Sequence, residues 1–289
     1  MNDEEPNRLP IVVPVLIVLA MAAYIGWWRY QSVQPEPEVP TSSAPATPTT
    51  PDLPAPQPED SPAIQHPIEP PEAEAGAKPQ PLPPLASSDA QVNAQLGKLL
   101  GARNVQRFLH PDGIARRVVA TVDNLGRTQA PVMMWPVLPT TGRFSTAPAA
   151  SGGQGRTIHP DNQRRYAPFV AMADSVDAER AALAYRRLYP LFQQAYEELG
   201  YPGRYFNDRL VQVLDQLIAT PVPSAPPAVR LVEVKGPLQA SRPWVHYEFV
   251  DPALESLSSG QKMLLRMGPD NQRRLQAKLS EFRQRVAKR

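Results

Sequence analysis

The side chains best suited by type and spacing to chemistry fall in a few short clusters. His110-Pro111-Asp112 and His159-Pro160-Asp161 each set an imidazole two residues from a carboxylate, a His-x-Asp pairing that could give a divalent cation two ligands. Asp123-Asn124 and Asn207-Asp208-Arg209 group carboxylate, carboxamide and guanidinium as a binding or acid–base site would. Gln261, Lys262 and Arg266 precede the Gly268-Pro269 turn and, with Arg273 and Arg274 beyond it, make a candidate basic rim for an anion. Each cluster also has a plain structural reading: a Pro-Asp helix start, a helix-end turn, an N-cap with a salt bridge, a solvated charged face. The hexapeptide Pro-Asp-Asn-Gln-Arg-Arg occurs twice, at 160–165 and 269–274, and both copies read as helix starts.

The chemistry these clusters support is limited. The chain has four histidines and no cysteine, which excludes disulfides, thiol nucleophiles and thiolate metal sites, and no His-x-x-x-His spacing is present. A Gly-rich phosphate loop, Gly-x-Ser-x-Gly and His-Glu-x-x-His are all absent from the sequence. No catalytic, cofactor or metal residue is assigned, and the chain leans away from an enzyme. The ten residues Asp123, Asn124, Asn207, Asp208, Arg209, Gln261, Lys262, Arg266, Arg273 and Arg274 stand as a candidate interaction surface.

The elements that position them follow from an uneven composition. Leu9 to Trp28 is an uncharged, mostly apolar run of the length that crosses about 30 Å of hydrocarbon as a helix. Trp27, Trp28, Arg29 and Tyr30 close it as interfacial residues do. Ala20-Met21-Ala22 resembles a signal-peptide cleavage site, but the preceding Asp3, Glu4 and Glu5 replace the usual basic segment and the apolar run continues past it. The expectation is a single-pass anchor over 9–28 behind a short cytoplasmic N-terminus, 1–8.

Residues 29–85 are proline-rich, acidic and almost without bulky apolar side chains, so they read as a disordered stalk. About 50 residues at ~3.1 Å each would reach at most ~155 Å in polyproline geometry. Residues 86–289 carry 27 basic and 17 acidic side chains, a net +10 that the whole-chain value of +2 conceals.

Within 86–289 the pattern is mainly α with a small antiparallel β element. Ser88 and Gln91 have capping-box spacing ahead of Val92, Leu96, Leu99 and Leu100, and short helices are expected over Val105–Leu109 and from about Asp112 to Leu125. Residues 126–157 lose periodicity and read as a long irregular loop with room for a short hairpin. Asp177 should cap a helix with Tyr185, Leu188, Phe192 and Tyr196 inward, kinked at Pro190. Asn207 or Asp208 should cap the next, with Leu210, Val211, Leu214 and Leu217 inward. Ala228–Val234 and Val245–Val250 read as paired strands, and a last helix begins near Asp270 with Leu275, Leu279, Phe282 and Val286 on one face.

Several strings resemble one bacterial family of unknown function, the domain-of-unknown-function family 3014. They are Ala-Thr-Val-Asp-Asn-Leu at 120–125, Tyr-Pro-Leu-Phe-Gln-Gln-Ala-Tyr-Glu-Glu-Leu-Gly-Tyr-Pro at 189–202, Phe-Asn-Asp-Arg-Leu at 206–210, and Ser-Gly-Gln-Lys-Met-Leu-Leu-Arg-Met-Gly-Pro-Asp-Asn at 259–271. The resemblance implies a membrane-anchored protein of the bacterial envelope and implies no activity. The two His-Pro-Asp tripeptides match the one that co-chaperone J-domains present, but their flanks do not resemble that family.

Anchor, stalk and basic head together predict a non-enzymatic tether or scaffold of the inner membrane. Its C-terminal domain would stand in the periplasm against a polyanionic envelope component or another envelope protein, with no nucleic acid expected. The alternatives are an enzyme of unrecognised type in the soluble domain and an envelope-spanning coupler like TonB, which shares the layout alone.

Overall fold

The computed structural model describes residues 63–69, 81–149, 155–232 and 243–287, all within one compact unit, Glu59–Arg289. The expected membrane span at 9–28 and residues 29–62 of the expected stalk lie outside the described residues. Among those that are described, no helix is long and apolar enough to cross a membrane. The architecture is mainly helical with a small four-stranded antiparallel sheet.

In chain order the elements are α1 (Asp89–Leu100), α2 (Ala102–Phe108), α3 (Ile114–Leu125), β1 (Thr146–Pro148), β2 (Arg156–Ile158), α4 (Asp161–Asp174), α5 (Ala178–Glu198), α6 (Phe206–Ile218), β3 (Ala228–Leu231), β4 (Tyr247–Phe249), α7 (Pro252–Glu255), α8 (Ser259–Met267) and α9 (Pro269–Val286). α5 is the axis of the main core. Asp177 caps it, its Oδ1 accepting from the Arg180 N–H at 2.8 Å, and Ala182, Tyr185, Leu188, Tyr189, Phe192, Ala195 and Tyr196 bury one face at helical spacing. The helix runs unbroken through Pro190. α3, α6 and α9 pack around it with Val119, Phe206, Leu210, Leu214 and Val286, and Tyr185 lies edge-on to Phe282. A second cluster joins α4, α6, α8 and α9 through Val170, Val213, Leu217, Leu264 and Leu275.

The sheet orders its strands β1-β2-β3-β4. Thr146 lies opposite Ile158, Arg156 opposite Val229, and Val229 opposite Phe249. Ile158, Val229 and Phe249 turn inward onto Leu265 of α8 as a third cluster. The short hairpin that the irregular loop had room for is β1–β2, which supplies half of this sheet. Close packing of α8 depends on a residue without a side chain: a Cβ on Gly260 would lie 2.7 Å from Leu217 Cδ2 and 3.1 Å from the Leu125 carbonyl.

Several local expectations change. Ser88 forms no capping box; its hydroxyl donates back to the Leu85 carbonyl at 2.9 Å, closing a 3-10 turn. The carboxylate beside it, Asp89, instead accepts the Gly113 N–H at 2.9 Å and fixes the entry to α3. α3 therefore starts at Ile114 rather than Asp112. Neither Asn207 nor Asp208 caps α6, because Tyr205 holds the N-cap position and α6 begins at Phe206.

The largest difference concerns the stalk. Residues 63–69 and 81–85, assigned to it by composition, lie against the domain. Ile68 and Leu82 pack on the main core, and Leu85 is buried within it.

Candidate functional site

Three of the candidate residues, Asn207, Asp208 and Arg209, sit on the first turn of α6 and work in two separate networks. Asn207 is 0% exposed. Its Oδ1 accepts from the Tyr185 hydroxyl at 2.9 Å, and its Nδ2 donates to the carbonyls of His66 and Val286, both at 2.8 Å. One carboxamide thus joins α5, the end of α9 and the 63–69 segment. Burial pushes the Tyr185 hydroxyl well above the ordinary tyrosine range, so it stays a neutral donor. Tyr189, raised chiefly by burial and then by Tyr205, donates to Gln193 Oε1 at 3.0 Å.

Asp208 holds the same segment from its outer side. Its two oxygens accept the Gln65 N–H at 3.1 Å and the His66 N–H at 2.7 Å, and Tyr205 accepts the Ile68 N–H at 2.7 Å. A single carboxylate taking two successive backbone N–H groups is a charge-assisted arrangement, stronger than two neutral bonds. Residues 63–69 are therefore a strap, fastened by four of these hydrogen bonds, three of which come from consecutive positions 207 and 208.

Arg209 turns the other way, to Asp123. That carboxylate lies near the end of α3 and is 4% exposed. Oδ1 takes the Arg209 Nε–H at 3.2 Å; Oδ2 takes Arg127 Nη2 at 2.6 Å and the Tyr201 hydroxyl at 3.2 Å. Arg209 Nη2 also donates to the Asp123 carbonyl at 2.8 Å. With both oxygens engaged by two guanidinium groups and a phenol, Asp123 is an ionic hub for α3, α6 and the turn after α5. Asn124, next to it, is spent on the Ala120 carbonyl at 2.7 Å, while its own carbonyl accepts from the Ser259 hydroxyl at 2.8 Å.

The expected basic rim is not assembled. Gln261 completes a capping box with Ser258 at the start of α8, and its Nε2 donates to the Gln216 carbonyl at 3.0 Å. Lys262 pairs with Glu255 at 2.8 Å. Burial opposes the Glu255 charge, but the hydrogen bonds from Lys262 and the Phe249 N–H outweigh it and hold its pKa below the usual range. Arg266 lies over the Phe249 ring and donates to the Tyr247 carbonyl at 2.9 Å; burial draws its pKa down. Arg273 and Arg274 form exposed pairs with Asp270 at 3.2 Å and Asp174 at 2.8 Å, the kind that contributes roughly 0–1 kcal/mol.

Positive charge without an acidic partner gathers elsewhere, around residues 140–146, where no local pattern announces it. Arg165 donates to the carbonyls of Thr141 and Gly142, Arg156 to Thr146, and Arg143 stacks on Trp244 at 4.0 Å from the ring centroid. Among the described residues none of these three has a carboxylate within ion-pair distance.

Of the two His-Pro-Asp tripeptides, only the second opens a helix. In the first, the His110 N–H donates to the Pro136 carbonyl at 2.8 Å and the helix begins past Asp112. Among the described residues no group of three or more histidine or acidic side chains is placed to hold a metal ion.

A family model described as a protein of unknown function, DUF3014, matches residues 114–283. The matched region runs from the start of α3 through most of α9. It contains the Asp123 hub and the Asn207–Asp208 clamp but not the strap. No curated protein and no solved structure matches the chain.

Proposed function

This chain belongs to the DUF3014 family, and on that premise we propose that it is a non-enzymatic tether of the bacterial cell envelope. The apolar run at 9–28 anchors it in the inner membrane as a single span, with 1–8 in the cytoplasm. The acidic proline-rich stalk carries the basic domain into the periplasm, where it binds a polyanionic envelope component or another envelope protein.

The observation that carries this reading is the strap. A tether must hand tension from its anchor to its head at a defined point, and the clamp of residues 63–69 by Asn207 and Asp208 supplies one on the anchor side of the domain sequence. Two further features support it. The candidate polar residues are spent on holding elements together, which leaves no acid, base or nucleophile aligned for catalysis in those clusters. The Arg143, Arg156 and Arg165 group offers unopposed charge to an anionic polymer, within a head of net +10.

The test is binding of the full chain to poly-L-glutamate, used as a generic polyanion, across a salt series. Affinity should fall roughly tenfold or more between about 50 and 200 mM salt as screening sets in. Changing Arg143, Arg156 and Arg165 together to Gln should weaken low-salt binding severalfold, with the helical content by circular dichroism retained. Binding indifferent both to salt and to these three arginines would overturn the proposed surface.

A further inference from the structure

The two copies of Pro-Asp-Asn-Gln-Arg-Arg, far apart in sequence, meet in space. Each opens a long helix, α4 or α9, and neither helix has a side-chain cap. Gln163 of the first copy donates from Nε2 to Asp270 of the second at 2.9 Å, and Asn271 Nδ2 donates to the Gln163 carbonyl at 2.8 Å. Gly268 makes the approach possible: its φ is +87°, and a Cβ there would fall 2.9 Å from Gln163 Oε1.

Beside this junction is a cleft of about 200 Å³. Pro226, Pro227 and Leu265 give it apolar walls, and its polar lining includes His159, Ser224, Arg266 and Gln272.

Gln272 shows what is missing there. It is 0% exposed, and its Nε2 donates to the carbonyls of Pro221 at 2.9 Å and Thr220 at 3.3 Å. Those two acceptors fix the orientation of the carboxamide and leave Oε1 buried without a donor among the described residues. A buried carbonyl oxygen in that state calls for an N–H or O–H.

Arg266 calls for the opposite partner. Only its Nη2 is engaged, by the Tyr247 carbonyl, and among the described residues it has no carboxylate at ion-pair distance, since Glu255 is taken by Lys262. The start of α9 adds to this, because Gly268 and Pro269 at its positive end line the cleft. The acids of the two first turns do not line the cleft: Asp161 pairs with Arg164 and Asp270 with Arg273, both at 3.2 Å.

We propose that this cleft binds an N-acylated α-amino acid group, its carboxylate on Arg266 and the start of α9, its amide N–H on Gln272 Oε1, and a small side chain against the proline wall. The cleft is below the roughly 300–1,000 Å³ of sites for larger ligands, which suits a group of this size. The same group occurs as a free acylamino acid and as the last residue of a peptide. The site does not depend on the chain being a tether.

Calorimetric titration of the full chain with N-acetyl-L-alanine, its methyl ester and acetyl-tetra-L-alanine tests this. The acid should bind, and the ester, which lacks the charge, should bind at least about tenfold more weakly. Arg266→Gln should lower the affinity for the acid by a similar factor. Ser224→Glu, at an exposed lining position, should also lower it without moving the unfolding midpoint, which separates loss of the site from loss of the fold. Tighter binding of the tetrapeptide than of the acid assigns the site to peptide ends, and equal binding assigns it to the free molecule. Equal affinity for acid and ester, no detectable heat with any probe, or an unaffected Ser224→Glu variant would overturn the proposal.

Discussion

Replacing Asp123 with alanine is expected to destabilise the domain by about 3–5 kcal/mol, the usual result of removing one member of a buried ion pair. Arg209 and Arg127 would then face each other across the vacated site without a counter-ion, and the Tyr201 hydroxyl would lose its acceptor. For a domain of this size the unfolding midpoint should fall by roughly 6–20 °C. Burial is what makes the effect large: the Asp123 side chain is 5% exposed and that of Arg209 18%, whereas Arg116 and Glu198, a pair of similar length, are 45% and 43% exposed. Glu198→Ala should accordingly change stability by no more than about 1 kcal/mol. Thermal unfolding of the two variants side by side measures the contrast. Similar small losses in both would show that Asp123 is not the hub described.

Asn207→Ala is expected to cost roughly 2–4 kcal/mol, because it strips partners from three groups at once: the Tyr185 hydroxyl and the carbonyls of His66 and Val286. Asp208→Ala should behave differently. Asp208 is only partly buried and its removal returns two strap N–H groups to water, so the strap should loosen while the helical core keeps most of its stability. Native-state hydrogen exchange separates the two cases. In Asp208→Ala the Gln65 and His66 amides should exchange much faster with the α5 amides unchanged; in Asn207→Ala both should speed up together. Unchanged exchange at Gln65 and His66 in Asp208→Ala would show that the clamp does not hold the strap.

The long helices were legible because apolar spacing of three and four residues leaves little choice of face. Tyr185, Leu188, Phe192 and Tyr196 point inward as their spacing predicts, and Asp177 caps α5. The β3–β4 pairing was legible from its β-branched and aromatic residues. β1 and β2 were legible only as a short hairpin the irregular loop could carry, since three-residue strands reading Thr-Ala-Pro and Arg-Thr-Ile have no alternation to place them. Their pairing with β3 depends on contacts that no local window contains.

Caps show how one spacing gives two results. Ser88-x-x-Gln91 and Ser258-x-x-Gln261 are spelled alike, yet only the second forms a capping box. The hydroxyl of Ser88 finds the Leu85 carbonyl first, in a turn set by the preceding prolines. Asn207 and Asp208 have the spelling of an N-cap, but burial of Phe206 pulls the helix start back to it, and the two side chains are freed for the strap.

The strap and the Asp123 hub were the least legible. Proline content disguises residues 63–69 as spacer, and their partners lie about 140 positions away. Asp123 and Arg209 are 86 residues apart, and nothing in either local string announces the other. The arginines around residues 140–146 were hidden for a different reason, because Arg156 and Arg165 reach the 141–146 backbone only once the β1–β2 hairpin and α4 are formed.

On the proposed reading the head is carried outside the cytoplasm on a chain held in the membrane. Alkaline extraction of membranes from cells that make the protein, followed by protease treatment of intact spheroplasts, is the decisive experiment. The full chain should stay with the lipid at high pH, and protease added from outside should remove the domain. Release of the intact chain by alkali, or a domain left whole until the inner membrane is broken, would contradict that reading.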